Sequence, residues 1–123
     1  MDHFLSDNGI IAIVLPVFDD LTSVRALVPE IEAATNSSGV SACLVIVDDG
    51  SPRSVDPNSV SAGVSFPIQV IQLRRNVGHQ RAIAIGLSHV VATELASIIV
   101  IMDGDGEDRQ AHDVERAGRI VEV

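Results

Sequence analysis

The sequence predicts an α/β fold, a mostly parallel sheet flanked by helices, and three observations predict it. Apolar runs of strand length alternate with longer stretches of helical periodicity. The apolar residues are almost all Ile, Val, Leu and Ala, with three Phe and no Trp or Tyr, which suits strands buried on both faces beneath helices. A hydrophobic content of 46% in 123 residues furnishes one core, so residues 1–123 read as a single domain and not as a disordered chain.

Residues 10–17 form a β-branched apolar run closed by Pro16 and read as a buried first strand. Asp19 or Asp20 can cap a following helix, in which Leu21, Val24, Leu27, Val28 and Ile31 recur at helical spacing. Pro29 removes a backbone donor inside that pattern, so a kink or restart is expected there. Turn chemistry over residues 36–39 ends the helix. Residues 43–47 read as a second buried strand, and residues 52–67, rich in Ser, Pro, Gly and Asn, as loop with at most a short helix. Residues 68–73 give a third strand, 78–93 a helix and 98–102 a fourth strand. The tail, residues 111–123, reads as a last helix.

Seventeen acidic residues against eight basic ones, all Arg, give a formal net charge of −9. That charge, with so few aromatics, excludes the electrostatic and stacking footprint of a nucleic-acid binder. The single Cys43 lies in an apolar run and reads as a small buried hydrophobe. Residues 1–8 are acidic and do not read as a secretory signal, and no stretch approaches the ~20 apolar residues of a membrane span. A cytoplasmic setting is expected.

Ligands of open parallel sheets bind beyond the carboxyl ends of the strands. Three of the four strands end in carboxylates there: Asp19 and Asp20, Asp48 and Asp49, Asp103 and Asp105. Gathered on one rim, like charges need a cation or hydrogen-bond donors. Asp103, Asp105 and Glu107 alternate directly after a strand, so an extended segment would aim them the same way. Three such oxygen donors suit Mg²⁺ or Mn²⁺; a solvated acidic turn is the competing reading. Asp48 and Asp49 precede Gly50 and Ser51, where a carboxylate can accept from a base or ribose, or simply belong to an Asp-Gly turn. Residues 74–81 hold the most basic cluster, Arg74, Arg75 and Arg81, with Asn76, Gly78 and His79, at a strand-to-helix passage. Phosphate oxygens favour such a place, although an Arg cluster balancing the acidic rim would look the same. For His79 a structural hydrogen bond is the preferred reading over a ligand or base.

These pieces in this order resemble the family 2 glycosyltransferases of the GT-A fold, on the side of the dolichyl- and undecaprenyl-phosphate sugar transferases. They are Leu15-Pro16-Val17-Phe18-Asp19-Asp20, Val47-Asp48-Asp49-Gly50-Ser51, Arg75-Asn76-Val77-Gly78-His79-Gln80 with Ala82 and Gly86, and Met102-Asp103-Gly104-Asp105-Gly106-Glu107-Asp108. The resemblance implies a Rossmann-like nucleotide-binding half and sugar transfer with inversion from a nucleoside-diphosphate sugar. Pro16, Val17, Phe18 and Asp20 would line the nucleotide, Asp48 would contact the base with Asp49 close by, and Arg75, Asn76 and Gly78 would face the donor. Asp103 and Asp105 look like the DxD carboxylates that hold ribose and metal. Glu107 stands where this branch commonly has Gln, and Phe18 and Asp19 replace the usual residues of the first motif.

Members of this family continue to an acceptor site and a catalytic base, for which this chain offers no segment, so no catalytic residue is assigned and an incomplete domain is expected. Residues 119–123 stop in an apolar helical pattern and not a polar tail, which favours an incomplete domain whose fourth strand and last helix lack the partners that complete the sheet. That exposed edge would invite homo-oligomers. The rival from another class is a non-enzymatic binding remnant. A receiver-type signalling domain is disfavoured by the absence of Lys. The piece itself carries no membrane segment and would sit peripherally on a membrane in a polyprenyl-phosphate-using enzyme.

Overall fold

The computed structural model describes residues 9–61, 63–102 and 120–122. Its elements are β1 (Ile11–Val17), α1 (Leu21–Ser38), β2 (Ala42–Asp48), α2 (Pro57–Ser61), β3 (Ile68–Gln72), α3 (His79–Ala92), β4 (Ile98–Ile101) and β5 (Ile120–Glu122). The strands make one five-stranded sheet of order β3-β2-β1-β4-β5, with every pairing parallel. The expected α/β architecture is present.

Alternation along each strand divides the core in two. Ile13, Leu15 and Val17 of β1, with Leu44 and Ile46 of β2, pack under Val24, Leu27, Val28 and Ile31 of α1. The intervening Ala12, Val14, Cys43, Val45 and Val47 pack under Ala82, Ile83 and Val90 of α3. Both faces of the central strands are therefore buried, which is why their sequences read as unbroken apolar runs. Gly86 of α3 faces the sheet where an added Cβ would lie 2.6 Å from Val14 Cγ1 and 3.0 Å from Val47 Cγ2. The missing side chain lets helix and sheet close. Cys43 is buried on this same face, and burial pushes its thiol up to about 11.

Pro16 fits β1 because of where its missing donor points. Val14 accepts a hydrogen bond from Met102 N on the β4 side, while Val17 accepts one from Asp49 N on the β2 side. Two residues beyond Val14, Pro16 N faces the β4 side again, past the last pairing Val14↔Ile101. No ladder bond is lost there.

The structure departs from the sequence reading at two places. α1 runs unbroken from Leu21 to Ser38 with Pro29 inside it. Pro29 and Arg25 both lie on the exposed face, so the carbonyl to which Pro29 cannot donate is open to solvent. The tail is not helical where it is described: Ile120–Glu122 is a strand, pairing Ile99↔Ile120 and Val100↔Val121. A short stretch holding two adjacent β-branched residues satisfies either periodicity, and pairing with β4 decides it. β4 is consequently an inner strand, and the sheet's edges are β3 and β5. The rest of the anticipated helix, residues 111–119, lies outside the described residues.

Asp20 caps α1: its Oδ1 accepts from Ser23 N at 3.1 Å and its Oδ2 from Ser23 Oγ at 2.7 Å. Gly39, in the left-handed region, ends the helix and donates to Thr35 O. Replacing Asp20 by Ala should lower stability by about 1 kcal/mol, the usual cost of an N-cap. Urea denaturation checks this, and an unchanged midpoint would mean that the cap is dispensable.

Candidate functional site

The chain runs from β1 to β2 to β3 in one direction, then crosses back to place β4 on the other side of β1. α1 and α3 cover opposite faces of the sheet. Such a reversal opens a crevice at the carboxyl end of the central strand. A cleft of ≈ 200 Å³ lies there, walled by Pro16, Val17 and Phe18 from β1 and its exit, Asp49 from the end of β2, and Asn76, Gly78 and His79 at the entry to α3. Phe18 is 51% exposed, an uncommon position for a large aromatic ring and a ready stacking surface.

Three loops build this rim and are bonded to one another. The first and second are joined by Asp19 N donating to Ser51 Oγ at 2.7 Å and by Asp49 N donating to Val17 O at 2.7 Å. Asp19 sits in the left-handed region at φ 49°. The second and third loops touch backbone to backbone, since a Cβ on Gly50 would lie 2.4 Å from both Arg75 C and Asn76 N. Asn76 Nδ2 also donates to Asp49 O at 3.2 Å.

Asp48 and Asp49 diverge, as consecutive residues leaving a strand must. Asp48 turns to the α1 side and is fully buried. Its Oδ1 accepts from Ser51 N at 3.1 Å, and its Oδ2 accepts from Val55 N at 3.0 Å and Gln72 Nε2 at 3.1 Å. Asp49 turns to the α3 side, also buried. Its Oδ1 accepts from Val77 N at 2.7 Å and its Oδ2 from Gly78 N at 3.1 Å. Two amides at the α3 entry, where the sequence points to phosphate, are thus taken by a carboxylate of the chain itself.

Of the residues singled out in the sequence, the cleft brings together Pro16, Val17, Phe18, Asp49, Asn76 and Gly78. Asp20 is engaged in capping α1, Asp48 lies behind the rim, and Arg75 is exposed outside the cleft wall. Asp103, Asp105 and Glu107 lie outside the described residues. Among the described residues no group of three or more His, Cys, Asp or Glu side chains is placed to hold a metal ion. His79, read from sequence as structural, lines the cleft as the first residue of α3; its position directly after Gly78 was the available signal. A larger cavity of ≈ 390 Å³ between α1 and the β1–β4 side of the sheet is walled mainly by apolar side chains such as Ile11, Ile13, Leu27, Ile31, Val100 and Met102. Its polar lining comes from α1 alone, Glu30, Thr35 and Ser38, and none of residues 16–20, 48–51 or 75–80 borders it.

Residues 13–117 match Glycosyl transferase family 2. The chain is 34% identical over 98 residues to an undecaprenyl-phosphate 4-deoxy-4-formamido-L-arabinose transferase of Shewanella sediminis, covering 77% of this chain and 28% of the relative. It is 31% identical over 97 residues to enzymes of the same name from Salmonella paratyphi A and Salmonella enteritidis, with the same shares covered. The chain therefore spans 28% of the length of these relatives. No helix among the described residues is long and apolar enough to cross a membrane. A family match over most of the chain, a parallel α/β sheet consistent with GT-A and a cleft at its switch point together displace the receiver-domain reading: the chain belongs to glycosyl transferase family 2.

Proposed function

We propose that this domain binds a nucleoside-diphosphate sugar in the cleft between the end of β1 and the start of α3, as the donor half of an enzyme that transfers the sugar to a polyprenyl phosphate. The observation that carries this reading is the cleft itself. It lies at the carboxyl rim of a family 2 domain, with the exposed Phe18 ring beside the polar Asn76 and His79. Phe18 offers a stacking face to base or ribose, while Pro16, Val17 and Gly78 allow close backbone approach. Arg75, exposed on the neighbouring loop, supplies a guanidinium of the kind that pairs with phosphate oxygens. Asp20 and Asp48 support the rim from behind, as cap and as loop anchor.

Mg²⁺ or Mn²⁺ fits the donor set offered by Asp103, Asp105 and Glu107, oxygen ligands only. They follow directly upon Met102, whose N–H is bonded to Val14 O at 3.0 Å, so the chain leaves the sheet beside the strand that leads into the cleft. When bound, such an ion neutralises charge on the departing diphosphate. The chain's own residues hold and orient the donor; the names of the relatives support a polyprenyl-phosphate acceptor, and with it a membrane-peripheral setting on the cytoplasmic side. β3, at one edge of the sheet, is the strand through which two copies would pair.

Calorimetric titration with UDP, GDP and their sugar forms, with and without Mn²⁺, tests the reading. Metal-dependent binding is expected for one nucleotide, with Asp105→Asn weakening it at least about tenfold, since a carboxylate ligand to a divalent ion is lost. A folded protein that binds none of them refutes it.

A further inference from the structure

We propose that Ser51 is a positioning residue: its hydroxyl holds the left-handed turn at Asp19, and that turn leaves the Phe18 ring standing in the cleft as the stacking face for a nucleotide base. The proposal deepens the donor reading above and rests on it for its ligand. Of the three Phe in a chain without Trp or Tyr, Phe66 belongs to the core, and among the described residues Phe18 alone borders the cleft. Its direction follows from the pleat. Ile13, Leu15 and Val17 face α1, whereas Ala12 and Val14 face α3. The same alternation, carried one residue past Val17, turns Phe18 to the α3 side, where Asn76, Gly78 and His79 complete the wall.

The chain must then reverse at once, because α1 starts at Leu21 and lies on the opposite face. Asp19 makes that reversal at φ 49°, a conformation that a residue other than glycine keeps only where its surroundings hold it. The 2.7 Å bond from Asp19 N to Ser51 Oγ is the hold. Ser51 is itself anchored, its N–H donating to Asp48 Oδ1 at 3.1 Å. On the other side of Phe18, the Val17 carbonyl accepts from Asp49 N at 2.7 Å. The backbone is thus pinned before and after a ring that is half exposed. Such a ring gains little orientation from packing, so the backbone that limits its rotamers sets where it points.

The test combines hydrogen exchange at the Asp19 amide, read by NMR on the full chain, with calorimetry using UDP and GDP in Mg²⁺. The amide should be protected in the wild-type protein, exchange about tenfold faster in Ser51→Ala, and be protected again in Ser51→Thr, which keeps the acceptor oxygen. Nucleotide affinity should follow the same order, falling about fivefold in Ser51→Ala and returning in Ser51→Thr. Phe18→Ala should lose about tenfold in affinity. Adding Ser51→Ala to it should cost nothing further, since the hydroxyl acts through the ring. Additive losses would overturn the proposal. So would an unprotected Asp19 amide in a wild-type protein that binds nucleotide, a result that needs no variant to fold. A protected amide in a protein that binds neither nucleotide would refute the donor reading and the stacking role with it, leaving Ser51 a fastener of the turn.

Discussion

Gly50→Ala should destabilise this domain by at least about 3 kcal/mol, well above an ordinary glycine substitution in a turn. Two costs combine. Gly50 has φ +74°, where an L side chain is strained by about 1–2 kcal/mol. In addition, the new Cβ would lie 2.4 Å from Arg75 C and Asn76 N and 2.8 Å from Arg75 Cα. These are backbone atoms of a loop whose next two amides, Val77 and Gly78, are bonded to Asp49, so no side-chain rotation relieves the overlap. Gly39→Ala separates the costs: its φ is +71°, yet nothing lies within 4 Å of the added atom, so only the strain of about 1–2 kcal/mol should appear. The two variants compared by urea denaturation give the steric share by difference. Equal losses would mean that the 48–51 and 74–78 loops do not touch as described.

Asp48→Ala should cost about 3–5 kcal/mol, because it strands two backbone donors at a fully buried site and releases a third from Gln72. Ser51 N, Val55 N and Gln72 Nε2 all point at this carboxylate, and Ser51 and Val55 belong to the loop that carries the chain away from β2. Gln72→Ala, which removes only a partner that can reach water, should cost about 1 kcal/mol. In the double variant the two losses should not add, since they remove one interaction between them. Additive losses, or an Asp48→Ala protein of wild-type stability, would mean that the carboxylate does not organise this loop.

Both predictions concern residues whose motif was plain in sequence and whose roles were not. The inner strands were legible because β1 and β2 are buried on both faces, and that environment writes an unbroken β-branched run. The limits of α1 were legible because its cap and stop are local, Asp20 bonding three residues ahead and Gly39 turning left-handed. The partners of Asp48 and Asp49 were not, since Gln72, Val77 and Gly78 lie 24 to 29 residues away and only the sheet brings them near. Treating the rim as one cluster of carboxylates also overlooked the pleat, which sends these two neighbours to opposite faces. Pro29 looked disruptive because sequence does not tell which face of a helix meets water. The final strand looked helical because three residues carry too little periodicity to choose. The cleft was legible as a place through the strand-end rule, but His79 joined it only through the turn at Gly78.

The central claim, that a nucleotide occupies the cleft between β1 and α3, is tested most directly by mapping backbone amide shifts while UDP or GDP is added in Mg²⁺. The account predicts that the largest changes fall at Val17, Phe18, Asn76 and His79, with residues of α1 such as Leu27 and Ile31 unmoved. Binding whose shifts cluster instead along the apolar cavity between α1 and β4 would contradict it.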